Sequence, residues 1–141
     1  MKKRAKYIWL TILIILIIAG MYEYREYNRK PADLADVTAQ SSISADSLVM
    51  LFETDEPKAN SFYLGKAIDV TGSIAEIVNQ KDTVVNVILG KKDDMHRVSC
   101  LVDVQHINDT RAYKSGDKIT LRGICNGYLM DVELNRCVVV K

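Results

Sequence analysis

From Tyr7 to Tyr22 the chain runs for sixteen residues without a charge, the longest such stretch it contains. At about 1.5 Å per residue this makes a helix of about 24 Å, somewhat short of a bilayer core but longer than most signal-peptide cores. Aromatic residues at both ends, Tyr7 and Trp9 on one side and Tyr22, Tyr24 and Tyr27 on the other, suit the two interfacial belts of a membrane. Beyond it, Asn28 to Ser42 is polar and aperiodic and predicts a tether. Leu48, Leu51 and Phe52 then fall on one helical face behind a candidate N-cap, Ser44. Asp55-Glu56-Pro57 reads as a second helix start, with Ala59, Phe62 and Tyr63 as its apolar face and Gly65 as its stop.

After Gly65 the period changes to two. Ile68, Val70, Gly72 and Ile74 share one face of KAIDVTGSIAEIV, while Asp69, Thr71 and Ser73 share the other. DTVVNVILG and HRVSCLVDV follow as strands joined by the polar loop GKKDDM. The weakly helical QHINDTRAYKSGD then leads to KITLRGICNG and MDVELNRCVVV. Gly72 and Gly123 sit inside strands, where a small barrel must bend without side-chain crowding. Five strands with a connector after the third predict an all-β fold, a five-stranded OB-fold Greek-key barrel, preceded by a short helical pair and an N-terminal transmembrane helix. A sandwich would want more strands. The expected organisation is residues 1–6 as a cytoplasmic basic N-terminus, 7–24 as a transmembrane signal anchor, 25–43 as a linker, and 44–141 as the OB-fold domain with its helices.

Charge sharpens this division. Residues 1–30 hold seven Lys/Arg against two Glu, whereas residues 31–141 hold twelve Lys/Arg against sixteen Asp/Glu, so the net charge of +1 hides a basic anchor and a mildly acidic domain. Lys2, Lys3, Arg4 and Lys6 before the apolar run place the N-terminus in the cytoplasm and the domain across the membrane. Branched Ile18 at the position where cleavage wants a small residue favours an uncleaved anchor, with a removed signal peptide as the alternative. No cysteine lies near the end of the run, which excludes lipoprotein processing.

The segments DEPKANSFYLGKAIDVTGSI, VSCLV, SGDKITLRGICNG and DVELNRCVVV resemble the bacterial OB-fold family tRNA_anti-like, over roughly Ser44 to Val140. Gly123, Cys125, Gly127, Asp131, Val132, Leu134 and Cys137 follow its spacing. Glu56, Ala59, Tyr63, Gly65, Lys66 and Gly72 match its earlier half, although Asp55 stands where Asn is usual. The resemblance implies an OB barrel with an N-terminal helical pair, often exported or lipid-anchored; here a transmembrane anchor would replace the lipid-modified cysteine. It implies no demonstrated tRNA binding and brings no catalytic residues.

The candidate chemistry is sparse. A turn near Tyr128 and Leu129 would set Cys125 opposite about Val132, with Cys137 five residues or about 16 Å further, beyond disulfide reach. Buried structural thiols, a Cys100–Cys137 bridge, and a metal or catalytic role remain the three readings, and no close C-x-x-C spacing supports the last. His96 beside Asp93 and Asp94 is either a cation site or part of a charged loop, and His106 reads as exposed or capping. No nucleophile elbow, zinc-protease helix, phosphate loop or dinucleotide fingerprint occurs, so an enzyme, a metal and a cofactor are not expected. Single-strand binders pair a basic groove with aromatic platforms, yet no Phe, Tyr or Trp lies between Tyr63 and Tyr113. The chain thus reads as a membrane-anchored, non-enzymatic binding or adaptor module facing the periplasm or cell exterior, with an envelope protein or glycan as partner. A cytoplasmic, nucleic-acid-binding OB protein is the alternative. Barrel loops are the expected contact surface: Lys91, Lys92, Asp93, Asp94, Met95 and Arg97 in one, Asn126, Tyr128 and Asp131 in the other.

Overall fold

The computed structural model describes residues 2–28, 32–80 and 84–140 and divides into two units, Met1–Ala32 and Asp33–Lys141. Tether residues Arg29, Lys30 and Pro31, strand-start residues Asp82 and Thr83, and both termini lie outside the described residues. In the first unit a helix, α1 (Lys2–Tyr27), contains the apolar run. Among the described residues it is the one helix long and apolar enough to cross a membrane, over Tyr7–Tyr27.

The second unit holds β1 (Ser41–Ser44), α2 (Ala45–Thr54), α3 (Glu56–Tyr63), β2 (Ala67–Gln80), β3 (Val84–Leu89), β4 (Val98–Val102), a one-turn helix (Val104–His106), α4 (Ile107–Thr110), β5 (Lys118–Tyr128) and β6 (Val132–Val139). Strands β2, β3, β4, β6 and β5 pair in that order, and β2 pairs with β5 to close the barrel. This is the predicted OB order. The difference is β1, which adds to β2 in parallel, Ser41 opposite Ile68 and Ser44 opposite Thr71. Residues 33–43, expected as tether, therefore belong to the folded unit. Leu34 supplies the reason: it is buried against Ala67 and Val138, a single apolar contact too isolated to give a sequence period.

Both helix starts lie where their caps predict. The Ser44 hydroxyl accepts from the Ser47 amide at 3.2 Å, and the Asp55 carboxylate accepts from the Lys58 amide at 3.1 Å. Gly65, at φ 72°, ends α3, and its amide donates to the Cys125 carbonyl at 2.8 Å, which ties the helical pair to β5. Leu48 and Phe52 of α2 enter the barrel core with Ile68, Val70, Val87, Leu121 and Leu134. Each such side chain stabilises the fold by about 1.5–3 kcal/mol.

The strand glycines have a steric cause. A Cβ on Gly123 would lie 2.6 Å from Cys137 Sγ and 3.0 Å from Leu134 Cβ, and one on Gly72 would lie 2.9 Å from Ala45 Cβ. The thiols line the same interior: Cys100, Cys125 and Cys137 are all buried and free. Cys125 pairs with Leu134 rather than Val132, because the β5–β6 turn takes three residues and a bulge follows Cys125. Cys137 is thus three positions past the partner of Cys125, not five. Its neighbour is Val102 on β4, and Cys100 meets Leu134 there. Burial first, then the hydrogen bond with Cys100, pushes the Cys137 thiol well above its usual range, and burial also raises Cys125. Thiols held protonated in this way are poor nucleophiles.

Candidate functional site

The β3–β4 loop and the β5–β6 turn meet at one end of the barrel beside α2. Loop residues 90–97 are closed on themselves: the Lys91 amide donates to Asp94 Oδ2 at 2.9 Å, and the Asp94 amide donates to the Lys91 carbonyl at 3.2 Å. The loop is then fixed to the turn. The Arg97 amide donates to Asp131 Oδ1 at 2.8 Å, and the Val132 amide donates to the Arg97 carbonyl at 2.9 Å. His96 completes the junction, with Nδ1 2.7 Å from the Met130 carbonyl oxygen, Nε2 3.8 Å from Glu53 on α2, and its ring edge against Tyr128. Tyr128 in turn stacks on Phe52, centroids 5.9 Å apart.

The predicted site residues divide into two groups. Arg97, Tyr128 and Asp131 are half-buried and build the junction, while Lys91, Lys92, Asp93, Asp94, Met95 and Asn126 are exposed on or beside it. Asp93, Asp94 and His96 do not converge as a cation site, because Asp94 turns to the Lys91 amide and His96 to Met130. Among the described residues no group of three His, Cys, Asp or Glu is placed to hold a metal ion.

What the sequence reading missed is the apolar character of this end. Met95, Leu129 and Met130 are 89%, 80% and 79% exposed. Met50 of α2 is exposed as well and, with Met95, Asp46, Glu53, Lys91 and Arg97, lines a cleft of about 350 Å³. A signal was available for Met50, since it falls off the Leu48–Phe52 face of its helix. None existed for the assembly, which depends on two loops 34 residues apart meeting at His96.

Acidic groups surround the junction. The Tyr128 phenol is held above its usual range by burial first and then by Glu53, Asp131 and Glu56. Lys91, Lys92 and Arg97 offset these carboxylates locally, so the end has mixed charge around an apolar centre.

A second cleft, of about 400 Å³, lies at a different place, between β2, β3 and α4, where Asn79, Arg111 and Tyr113 stand beside Ile77, Val85 and Ile107. It combines a guanidinium with an aromatic ring, a pairing that planar ligands can use.

One solved structure shares the fold. A "putative nucleic acid-binding lipoprotein" of Klebsiella pneumoniae superposes with a TM-score of 0.60 at 22% identity, over 79% of this chain and 100% of that one. An asparaginyl-tRNA synthetase of Entamoeba histolytica (TM-score 0.42, 15% identity) is matched over 54% of this chain and 21% of its own. A "putative aspartyl-tRNA synthetase" of Leishmania major (TM-score 0.48, 10% identity) is matched over 87% of this chain and 26% of its own. No curated protein sequence matches. The family described as tRNA_anti-like matches residues 1–139, covering the apolar helix, the helical pair and the whole barrel, and the chain belongs to that family.

Proposed function

We propose that this protein is a membrane-anchored, non-enzymatic OB-fold module that faces the periplasm or cell exterior and engages an envelope protein through the end of the barrel formed by residues 90–97 and 128–131. The observation that carries this reading is the exposure of Met95, Leu129 and Met130 on a junction whose backbone is fixed by hydrogen bonds. Unbranched methionines on a rigid platform adapt to an apolar partner surface. A glycan would instead be served by exposed aromatic faces and a dense array of polar donors. Tyr128, the aromatic at this end, is committed to Phe52 and His96.

The test is a photo-crosslinking amino acid introduced at Met130 in intact cells, with Lys118, at the opposite end of β5, as the control position. A discrete protein adduct from position 130 and none from position 118 is the expected result. Equal adducts at both positions, or none at either, would overturn the assignment of this surface.

The cleft holding Asn79, Arg111 and Tyr113 favours a second reading, nucleic-acid binding, in keeping with the description of the Klebsiella lipoprotein. Against it stand the acidic balance of residues 31–141 and a single aromatic ring where stacking would supply about 1–3 kcal/mol per base. The full chain in detergent should therefore show no appreciable affinity for single-stranded DNA or RNA at physiological salt. Micromolar, salt-sensitive binding abolished by Arg111→Ala would establish the second reading instead.

A further inference from the structure

His106, expected at the surface or as a simple cap, occupies a more specific position. Its Nε2 lies 2.9 and 3.0 Å from the two carboxylate oxygens of Asp33, at the start of the strap formed by residues 33–40, and its Nδ1 lies 3.2 Å from Asp109 Oδ2 on α4. Ionised carboxylates only accept hydrogen bonds, and a neutral imidazole carries one N–H. Both contacts are satisfied together only when both ring nitrogens are protonated. The carboxylates face opposite edges of the ring, so they cannot converge on one cation; the arrangement is a clamp on an imidazolium and does not fit a metal.

We propose that His106 is a pH-dependent latch that fastens the beginning of the strap to the barrel when the ring is charged and releases it when the ring loses its proton. The charged groups around it are consistent with that role. Asp33 faces it from the strap and Asp109 from α4, while Arg122 of β5 lines a shallow cleft together with His106 and Asp109. Arg122 is engaged by Asp69, Nε to Oδ1 at 2.7 Å, and Arg136 of β6, which also acts on Asp33, lies 3.5 Å from Asp103. Both neighbouring cations thus have carboxylate partners of their own.

The direction of the pH effect follows. The Asp33 hydrogen bond is the largest influence raising the His106 pKa above its ordinary 6.5, opposed by desolvation and aided by Asp109. A group whose pKa is raised on folding stabilises the closed form fully below its unfolded pKa, and that contribution disappears as pH rises through the folded pKa. Asp33 sets the acid limit, since its pKa is lowered, first by the Ala35 amide and then by His106, and its contribution disappears as pH falls through that lowered value. Between these limits the latch is closed. Leu34, the Arg122 contact to the Val37 carbonyl, and the Gln40 amide bonded to the Ala67 carbonyl hold the rest of the strap at any pH. Release therefore concerns the first residues of the strap, which join the segment connecting α1 to the barrel and lengthen it by at most about 3.5 Å each. The reach of a tethered binding module sets its effective concentration at a partner.

The test is an NMR titration of the full chain in detergent micelles from pH 5 to 9, following the His106 ring and the exchange protection of the Ala35 and Asp36 amides, both bonded to Asp33, after correction for intrinsic rates. Expected are a His106 midpoint above 6.5 and a loss of strap protection with the same midpoint, while β5 and β6 amides stay protected. Asp33→Asn should lower the midpoint and abolish the pH dependence of the strap. Asp109→Asn, which leaves the strap sequence intact, should lower the midpoint too and decides the matter if Asp33→Asn fails to fold. A midpoint at or below the ordinary value, or strap protection that ignores pH, would overturn the latch.

Discussion

Gly123 and Cys137 form a pair in which each residue permits the other. Alanine at 123 would drive a methyl group to 2.6 Å from Cys137 Sγ, with Leu134 closing the other side, so strand β5 or β6 must shift. We expect Gly123→Ala to cost about 1–3 kcal/mol in chemical denaturation, the usual penalty for overpacking. Cys137→Ala alone should also destabilise, because it deletes a buried sulfur. The double variant should be more stable than the sum of the two losses predicts, with a coupling above about 0.5 kcal/mol. Strict additivity would mean that the clash is relieved elsewhere. Three buried thiols give a second readout: alkylation of the native protein should be slow at all of them and complete only on unfolding, yielding three modified cysteines by mass spectrometry. Recovery of a Cys100–Cys137 bridge after non-reducing purification would show that these neighbours on β4 and β6 are oxidised in the cell.

At the level of elements, each secondary structure is held by a feature that local sequence displays or hides. Caps are displayed: Ser44 and Asp55 precede their helices in the expected pattern, and Ser44→Ala should cost about 1 kcal/mol of stability through the lost bond to the Ser47 amide. Strand faces are displayed as well, since alternate burial follows directly from the period of two. Register is hidden. The bulges beside Ile74, Cys100, Cys125 and Arg122 each slip a pairing by one residue; Gly123 and Gly127 mark the two in β5 as places where the strand can bend, but neither the size nor the direction of a slip is written in the local sequence. Hidden too is Arg122, which reads as an ordinary polar-face residue of β5. In the structure its Nε and Nη2 donate to both Asp69 oxygens at 2.7 and 2.9 Å, and Nη1 donates to the Val37 carbonyl. One guanidinium thereby joins β5, β2 and the strap. Arg122→Leu keeps the apolar stem but leaves three acceptor atoms, the two Asp69 oxygens and the Val37 carbonyl oxygen, without their donor, and should cost about 1.5–3 kcal/mol, detected as a lowered denaturation midpoint with an unchanged m-value.

For the whole molecule, the barrel was legible because its five strands and one connector follow each other in chain order, whereas the candidate site was legible only as two loops. Their apolar residues, Met95 on one loop and Leu129 and Met130 on the other, are distant in sequence and share one end of the barrel because Arg97 binds Asp131 and His96 binds Met130. The proposed orientation of the molecule in the membrane rests on charge asymmetry about α1, and the buried thiols make it directly testable. Lys118 is exposed at the end of β5 away from the proposed contact surface, and the native cysteines are buried, so a cysteine placed at 118 should react alone with an impermeant maleimide. Ser41, at the end of the expected tether, is unsuitable because it is half-buried in β1. Four basic residues precede the apolar run, and positive residues are retained on the cytoplasmic side, so the barrel should stand on the opposite side. Lys118→Cys should then be labelled in intact spheroplasts as fully as in lysed ones. Labelling that appears only after lysis would place the barrel in the cytoplasm, remove the envelope partner from consideration, and make the cleft between Asn79, Arg111 and Tyr113 the first surface to test.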